Sequence, residues 1–391
     1  MKLKLLLLLL LAFSFLTNAQ QLKLSNQAEI SILTIGPGTL LMDAFGHNGF
    51  RVRDRERMLD VVFNYGTFDF DTPNFYLKFA QGKLNYKLSH NSYDDFFQAY
   101  IAQNRSIDEQ ILDLTRTQKQ QVFDFLLNNA KPENKYYLYD FFYDNCATKM
   151  KDVLKVSLNE TLTFKQPNDF NPKTFRALIH EHVNRNSWGS LGIDIALGSV
   201  IDKRATPEEH MFLPKYIHVF FEKATFTNSN KPIVKQPRLL YKKKEKSISN
   251  IFLMSPLMIF GLLGILILWI TYQDYKKGAR TIWLDIGLFS ITGFIGVILL
   301  LLWFATDHTA TANNYNLLWA FPVNLLVVLQ LLKKTPKRWF IKYLKFLIIM
   351  LCLLTLHWII GVQVFAIGLI PLFLALLIRY VYLVKFYSQN D

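Results

Sequence analysis

Along this chain of 391 residues the spacing of apolar positions falls into three regimes. Residues 1–19 begin with Lys2 and Lys4, run through an unbroken leucine-rich stretch and close on Thr17-Asn18-Ala19 before Gln20. A basic start, a short apolar run and small residues at its end are the pattern of a secretory signal peptide, cleaved after Ala19. From 20 to 250 polar and apolar positions interleave, over a length sufficient for one sizeable globular domain. From 251 to 385 the chain is mostly hydrocarbon.

In the middle regime, alternation at 28–35 predicts a strand that stops at Gly36-Pro37-Gly38. The runs 47–53 and 58–65 flank the charged turn Asp54-Arg55-Glu56-Arg57 and read as a hairpin, and 83–89 alternates again. Helical spacing falls at 92–103 and at 116–129, the latter opened by Thr115 with Gln118 three residues on, a capping box. Further helices are expected near Cys146, Pro172 and Trp188. Strands and helices interleave without the regular period of a doubly wound sheet, so the expected class is α+β.

Five stretches of the last regime, 251–270, 282–304, 316–332, 340–358 and 364–383, come near the roughly 20 residues that a helix needs to cross a bilayer. The last two are separated by a tight turn at Gly361, so a count of four also fits. Lys276, Lys277 and Arg280, then Lys333, Lys334, Lys337 and Arg338, and finally Lys385 mark cytoplasmic ends. That orientation puts 20–250 and the loop 305–315 outside the cytoplasm. Lys242-Lys243-Lys244-Glu245-Lys246 runs against it and is compatible only with a dominant signal peptide.

The net charge of +14 arises largely from these flanking segments. No basic-aromatic motif, glycine-rich phosphate loop or Cys/His metal spacing accompanies it, so neither nucleic acid nor a metal is expected.

Cysteine usage changes the picture most. Of the two cysteines, Cys352 lies in an apolar stretch and Cys146 stands alone in the exported part, with no partner for a disulfide. Placed in the first turn of a helix, Cys146 meets unpaired amides and the positive end of the dipole, which favour thiolate and can receive an oxyanion. A base must come from His47, His90, His180, His182, His210 or His218. His47 is preferred because Phe45-Gly46-His47 opens a strand at a glycine, where a reacting carbonyl can approach. His180 and His182 read as a solvated helix end. If the hairpin turn is 54–57, Arg53 faces Met58 and His47 falls opposite Asn64, completing Cys146, His47 and Asn64 as nucleophile, base and orienting amide. A different turn length would substitute another partner, Asp60 being the nearest.

Two segments carry a family resemblance: Phe45-Gly46-His47-Asn48-Gly49-Phe50-Arg51-Val52 and, much later, Tyr139-Asp140-Phe141-Phe142-Tyr143-Asp144-Asn145-Cys146-Ala147-Thr148. They resemble the permuted papain-like hydrolases and acyltransferases of the NlpC/P60 superfamily, in which the His strand precedes the Asn-Cys helix. More closely the chain resembles the Lnb-type lipoprotein N-acyltransferases of Bacteroidota, which join such a domain to a membrane bundle. Asn64-Tyr65-Gly66-Thr67-Phe68-Asp69-Phe70, Met211-Phe212-Leu213-Pro214, Thr306-Asp307-His308 and Asn316-Leu317-Leu318-Trp319 extend the likeness over nearly the whole mature chain.

The resemblance implies a papain-like periplasmic catalytic domain over 20–250 and an all-α transmembrane bundle of about five helices over 251–391, held in the inner membrane. It implies an acyl chain passed from a membrane phospholipid through a Cys146 thioester to the N-terminal amine of a diacylglyceryl-cysteine lipoprotein, without nucleotide or other cofactor. Asn145, Tyr143, Asp307 and His308 are candidate substrate contacts. The competing readings are a membrane-tethered cysteine peptidase or amidase acting on cell-wall peptide, with water as acceptor, and a non-catalytic binding module with Cys146 merely buried.

Overall fold

The computed structural model describes residues 22–158, 162–245, 252–333 and 336–389. The signal peptide expected at 1–19 and the domain boundary expected at 250 fall outside them. The exported part is built on β1 (Glu29–Ile35), β2 (His47–Asp54), β3 (Leu59–Thr67), helix α1 (Phe75–Ala80), β4 (Asn85–Ser92), α2 (Tyr93–Ala102), β5 (Ile107–Leu112), α3 (Arg116–Asn129), β6 (Tyr136–Leu138), α4 (Cys146–Leu158), α5 (Phe175–His180), α6 (Trp188–Ala196), α7 (Pro214–Lys223) and β7 (Val234–Tyr241). The seven strands form one antiparallel sheet in the order β6-β4-β3-β2-β1-β5-β7. The architecture is α+β.

Strand parity distributes the side chains. Ile30, Ile32, Phe50, Val52, Phe63 and Tyr65 face α3, α4 and α7, whose Val122, Phe123, Met150, Leu154, Phe220 and Phe221 complete the main core. Leu33, Ile35 and Val62 face the other way, against Phe96 of α2. Because β1 is covered on both sides, its residues from Ile30 to Ile35 are all buried. Thr115 and Gln118 form the capping box of α3, and the Ser92 hydroxyl caps α2.

The hairpin register differs from expectation. Its turn is Arg55–Met58, with Met58 left-handed at φ 53°, so Asp54 pairs with Leu59 and Arg53 with Asp60. The ladder is displaced by two residues, which preserves which face each side chain occupies. β5 and β7, which the alternation pattern did not reveal, extend the sheet on the side of β1, and β7 accommodates Pro237 as an edge strand.

Beyond the sheet lie α8 (Pro256–Lys277), α9 (Ile282–Phe304), α10 (Asn324–Leu331), α11 (Trp339–Ile359) and α12 (Ile370–Gln389). Among the described residues, four helices are long and apolar enough to cross a membrane, and α10 is not one of them. The stretch expected as a third span, 316–332, is instead a short helical turn, an irregular segment through Pro322 and the eight-residue α10. It still runs the length of the bundle. Asn316 bonds the backbone of Asp194 in the exported domain, whereas the Leu331 carbonyl accepts from Arg280 at the opposite end. Irregular backbone is tolerated there because it is packed against protein. Gly293 and Gly296 let α9 approach it closely, and Asn324 bonds Thr292 and Tyr343 on its two neighbours.

At the basic end of the bundle, Arg379 is fully buried and bonds Asp285 and Asp274, each at 2.7 Å, tying α12 to α9 and α8. At the other end, the loop after α9 is bonded into the exported domain. Gly198 and Ser199 donate to the Ala310 and Asn313 carbonyls, Asp307 donates to Gln81, and the Thr309 hydroxyl donates to Asp140. The buried Arg176, held by Asp194 and Asp202, stiffens the α5 and α6 side of this junction.

Candidate active site

Cys146 begins α4, and Asn145 explains why the helix starts there. Its Oδ1 accepts from the Ala147 and Thr148 amides at 2.7 and 3.0 Å, and its Nδ2 donates to the Phe141 and Phe212 carbonyls. Asn145 is buried with its amide fully engaged, which fits it to position Cys146. The same bonds occupy two of the helix-terminal amides expected to receive an oxyanion.

His47 opens β2 on the face of α2, where its ring stacks on Tyr100 at 6.2 Å between centroids. Asn64 lies on that same face and accepts from His47 Nε2 at 2.5 Å, which leaves Nδ1 for the sulfur. The displaced register makes this contact diagonal. Continued along the ladder, His47 would face Gly66, which has no side chain, and the ring reaches Asn64 two residues back. The expected partnership therefore forms, through a pairing other than the one that suggested it.

Cys146 approaches from the opposite face of the sheet, and the two faces meet at the end where Gly66 sits. Gly66 is left-handed at φ 89°, and a Cβ there would lie in ordinary contact with Cβ of Cys146 at 3.6 Å, so the backbone turn, not a lack of room, calls for glycine beside the thiol. The thiol and the imidazole stabilise each other's charged forms, and the backbone amide of Asn48 also favours the thiolate. Burial opposes the thiolate, but the His47 charge and bond, with the amides of Asn48 and Cys146, hold Cys146 below the ordinary thiol value. Burial also opposes the imidazolium, and the adjacent thiolate and the bonds from Cys146 and Asn64 hold His47 above its ordinary value. Both shifts run in the direction that favours a thiolate–imidazolium pair, the form in which a cysteine is a nucleophile.

The remaining candidates are sorted by the same geometry. Asp60 shares the face of His47 and Asn64 but lies farther along the ladder, where Arg51 Nε and Nη2 each donate to it at 2.7 Å. His180 bonds Asp194 and His210 bonds the Thr206 carbonyl, so neither serves the thiol. His182, expected to be solvated with His180, is held below its ordinary value by burial. Gly46 is left-handed, and a Cβ there would come within 2.7 Å of the Ile35 carbonyl, so its missing side chain serves the chain's own path into β2. Tyr143 is half exposed beside Lys203 and lines neither of the cavities described below.

Two cavities flank the pair. One of about 690 Å³ lies on the α2 side and is lined by His47, Asn64, Tyr100 and Arg105 among others. The other, of about 410 Å³, lies between the exported domain and the loop after α9, with Phe45, Phe79, Leu84, Phe141, Ile193 and Leu197 in its wall. Asp307 and His308 line this second cavity, and His308 Nε2 bonds the Phe79 carbonyl at 3.0 Å, docking α1 onto the bundle. Met42 borders both cavities.

Two phenols that sequence reasoning passed over flank the thiol. Burial first and the Cys146 charge second push Tyr137 and Tyr139 well above the ordinary phenol value, so both remain O–H donors. Tyr139 is in the wall of the apolar cavity, and the Tyr137 hydroxyl is buried without a partner. The tyrosine-rich run before Cys146 was the only sequence signal for them.

An α+β domain carrying a Cys-His-Asn group, joined to an apolar helical bundle, defines a membrane protein whose thiol, imidazole and amide sit in the domain beside the bundle. The sequence matches the Lnb N-terminal periplasmic domain over residues 18–181 and the Lnb transmembrane domain over residues 246–390. The chain belongs to the Lnb family, with both of its domains in order. No curated protein and no solved structure matches it.

Proposed function

We propose that this protein is a lipoprotein N-acyltransferase of the inner membrane. It would carry a fatty acyl chain from a membrane phospholipid, through a thioester on Cys146, to the N-terminal amine of a diacylglyceryl-cysteine lipoprotein. The observation that carries this reading is the position of the thiol. Tyr139, which meets Cys146 around Gly66, stands in the wall of an apolar cavity whose other side is formed by Asp307, His308, Thr309 and Ala310 of the loop after α9. A hydrolase of polar cell-wall peptide has no use for such a chamber, whereas an acyl chain fills it. Leu40 and Met42 beside His47, and Tyr76, Leu77 and Phe79 on α1, are large exposed apolar side chains around the same rim, suited to the surface of a bilayer.

The chemistry follows from the pair. The Cys146 thiolate attacks the ester carbonyl of the donor, and the Cys146 amide and the Tyr137 hydroxyl are the donors available to the oxyanion. The carbonyl re-forms as the bond to the glycerol oxygen breaks, with His47 giving that oxygen its proton; a lysolipid leaves and the acyl group stays on sulfur. The neutral amine of the lipoprotein then attacks the thioester, His47 takes the amine's proton, and the thiolate is released as the amide forms. Thioester to amide is downhill, so no nucleotide is consumed.

Intact mass spectrometry of the purified full-length protein after incubation with phospholipid, without acceptor, tests the reading. A gain of one fatty acyl group is expected, labile to hydroxylamine and missing in Cys146→Ser. Cleavage of cell-wall peptide with no acyl adduct would assign the protein to the peptidase reading instead.

A further inference from the structure

Beside the Cys146–His47–Asn64 group the protein buries a guanidinium that no carboxylate of the described residues bonds, although the Asp43 and Cys146 charges act on it from a distance. Arg105 follows the left-handed Asn104, which turns the chain from α2 into β5, and is only 4% exposed. Its Nε donates to the Gly36 carbonyl at 2.9 Å and its Nη1 to Gln103 at 3.2 Å. Nη2 has no partner, and no carboxylate among the described residues lies within ion-pair reach of the guanidinium. Its Cζ stands 4.8 Å from the centre of the Tyr100 ring, the ring on which His47 stacks. Arg105 and His47 share the wall of the larger cavity. Two carboxylates also line it: Asp95 is bonded to the Ser92 hydroxyl, and Asp43, bonded to the Leu40 amide, acts on Arg105 by its charge without a hydrogen bond to the guanidinium. An unpaired buried charge is costly, and it persists where an anion completes it.

We infer that Arg105 receives the phosphodiester of the glycerophospholipid acyl donor, in the cavity on the His47 side of Cys146. The assignment rests on the acyl-transfer reading above and adds to it which side of the site each half of the donor occupies. The bond that breaks joins the acyl carbonyl to a glycerol oxygen, and His47 protonates that oxygen. The glycerol and its phosphate therefore depart on the His47 side, where a guanidinium fork matches two phosphate oxygens. The acyl chain, on the other side of the carbonyl, is directed to the apolar cavity.

The test is donor preference in the full-length protein. The rate of Cys146 acylation is followed by intact mass with phosphatidylethanolamine, with phosphatidylglycerol and with a diacylglycerol bearing the same chains. A charge-assisted contact predicts a wild-type preference for either phospholipid of about 10- to 100-fold. In Arg105→Gln the ratio should collapse toward one, and in Arg105→Lys, which keeps the charge without the fork, it should fall between. A melting transition for each variant establishes folding, and Arg105→Lys carries the test if Arg105→Gln does not fold.

An unchanged ratio with both rates lowered equally would mean that Arg105 acts only on the charges of Cys146 and His47, and would overturn the assignment while leaving acyl transfer intact. Inorganic phosphate, added at millimolar concentration, should not compete. Inhibition by phosphate alone, lost in Arg105→Gln, would make a free anion the occupant and overturn the lipid assignment. Failure of the wild type to be acylated by any lipid would remove the acyl-transfer reading itself.

Discussion

Replacing Asn64 by alanine removes the group that fixes which way the His47 ring points. The bond it deletes is 2.5 Å long and is donated by an imidazole whose pKa the neighbouring thiolate and Asn64 itself raise, and in the imidazolium form it is charge-assisted. Such bonds contribute about 1.5–3 kcal/mol net, equivalent to about 10- to 150-fold in a rate that depends on the correctly oriented ring. Two features of the structure favour the lower part of that range. Tyr100 still stacks on the ring and restricts its tilt, and the cavity beside Asn64 gives water access to the vacated Nε2. Asn64→Ala is therefore expected to slow Cys146 acylation by about 10- to 30-fold, with little change in the melting transition. Asn64→Asp keeps the acceptor and adds a negative charge that favours imidazolium. It should lose less than Asn64→Ala, and its activity should persist to higher pH as His47 holds its proton longer. Single-turnover acylation measured by intact mass across pH reads both effects. An Asn64→Ala rate within about twofold of wild type, or an Asn64→Asp rate as low as that of Asn64→Ala, would refute the role assigned to this amide.

Two further predictions concern the charges. Because His47 and backbone amides hold the Cys146 thiol below its ordinary value against burial, alkylation of Cys146 by iodoacetamide should rise at a lower pH than that of a free cysteine. In His47→Ala burial is left to dominate, so the rise should move to the alkaline side of the free thiol; an unshifted profile would mean that the pair does not form. In the bundle, Arg379→Leu leaves the Asp285 and Asp274 carboxylates without their shared partner, and a buried pair broken in this way costs about 3–5 kcal/mol. The melting temperature in detergent should fall by several degrees, and an unaltered transition would show that the cluster is already neutral in the folded protein.

What the order of residues settled by itself is local or compositional. Helix α3 was legible because its start is set by the Thr115 and Gln118 side chains acting on adjacent backbone. The membrane segments were legible because hydrocarbon cannot be mistaken for anything else, and a lone exported cysteine at a helix start marks its own chemistry. Asn64 was found through strand parity, which survives a two-residue error in register because side chains alternate with a period of two. Tertiary structure decided everything that depends on elements far apart in the chain. The meeting of a thiol from one face of the sheet with an imidazole on the other, beside the left-handed Gly66, is such a feature. The Asn145 cap was fixed in place by the distant Phe212 carbonyl, and the third crossing, interrupted at Pro322, packs closely on α9 because Gly293 and Gly296 leave room for it. The buried Arg105 and the two cavities belong to this second class, since a cavity is a property of surfaces brought together and leaves no pattern in any one segment.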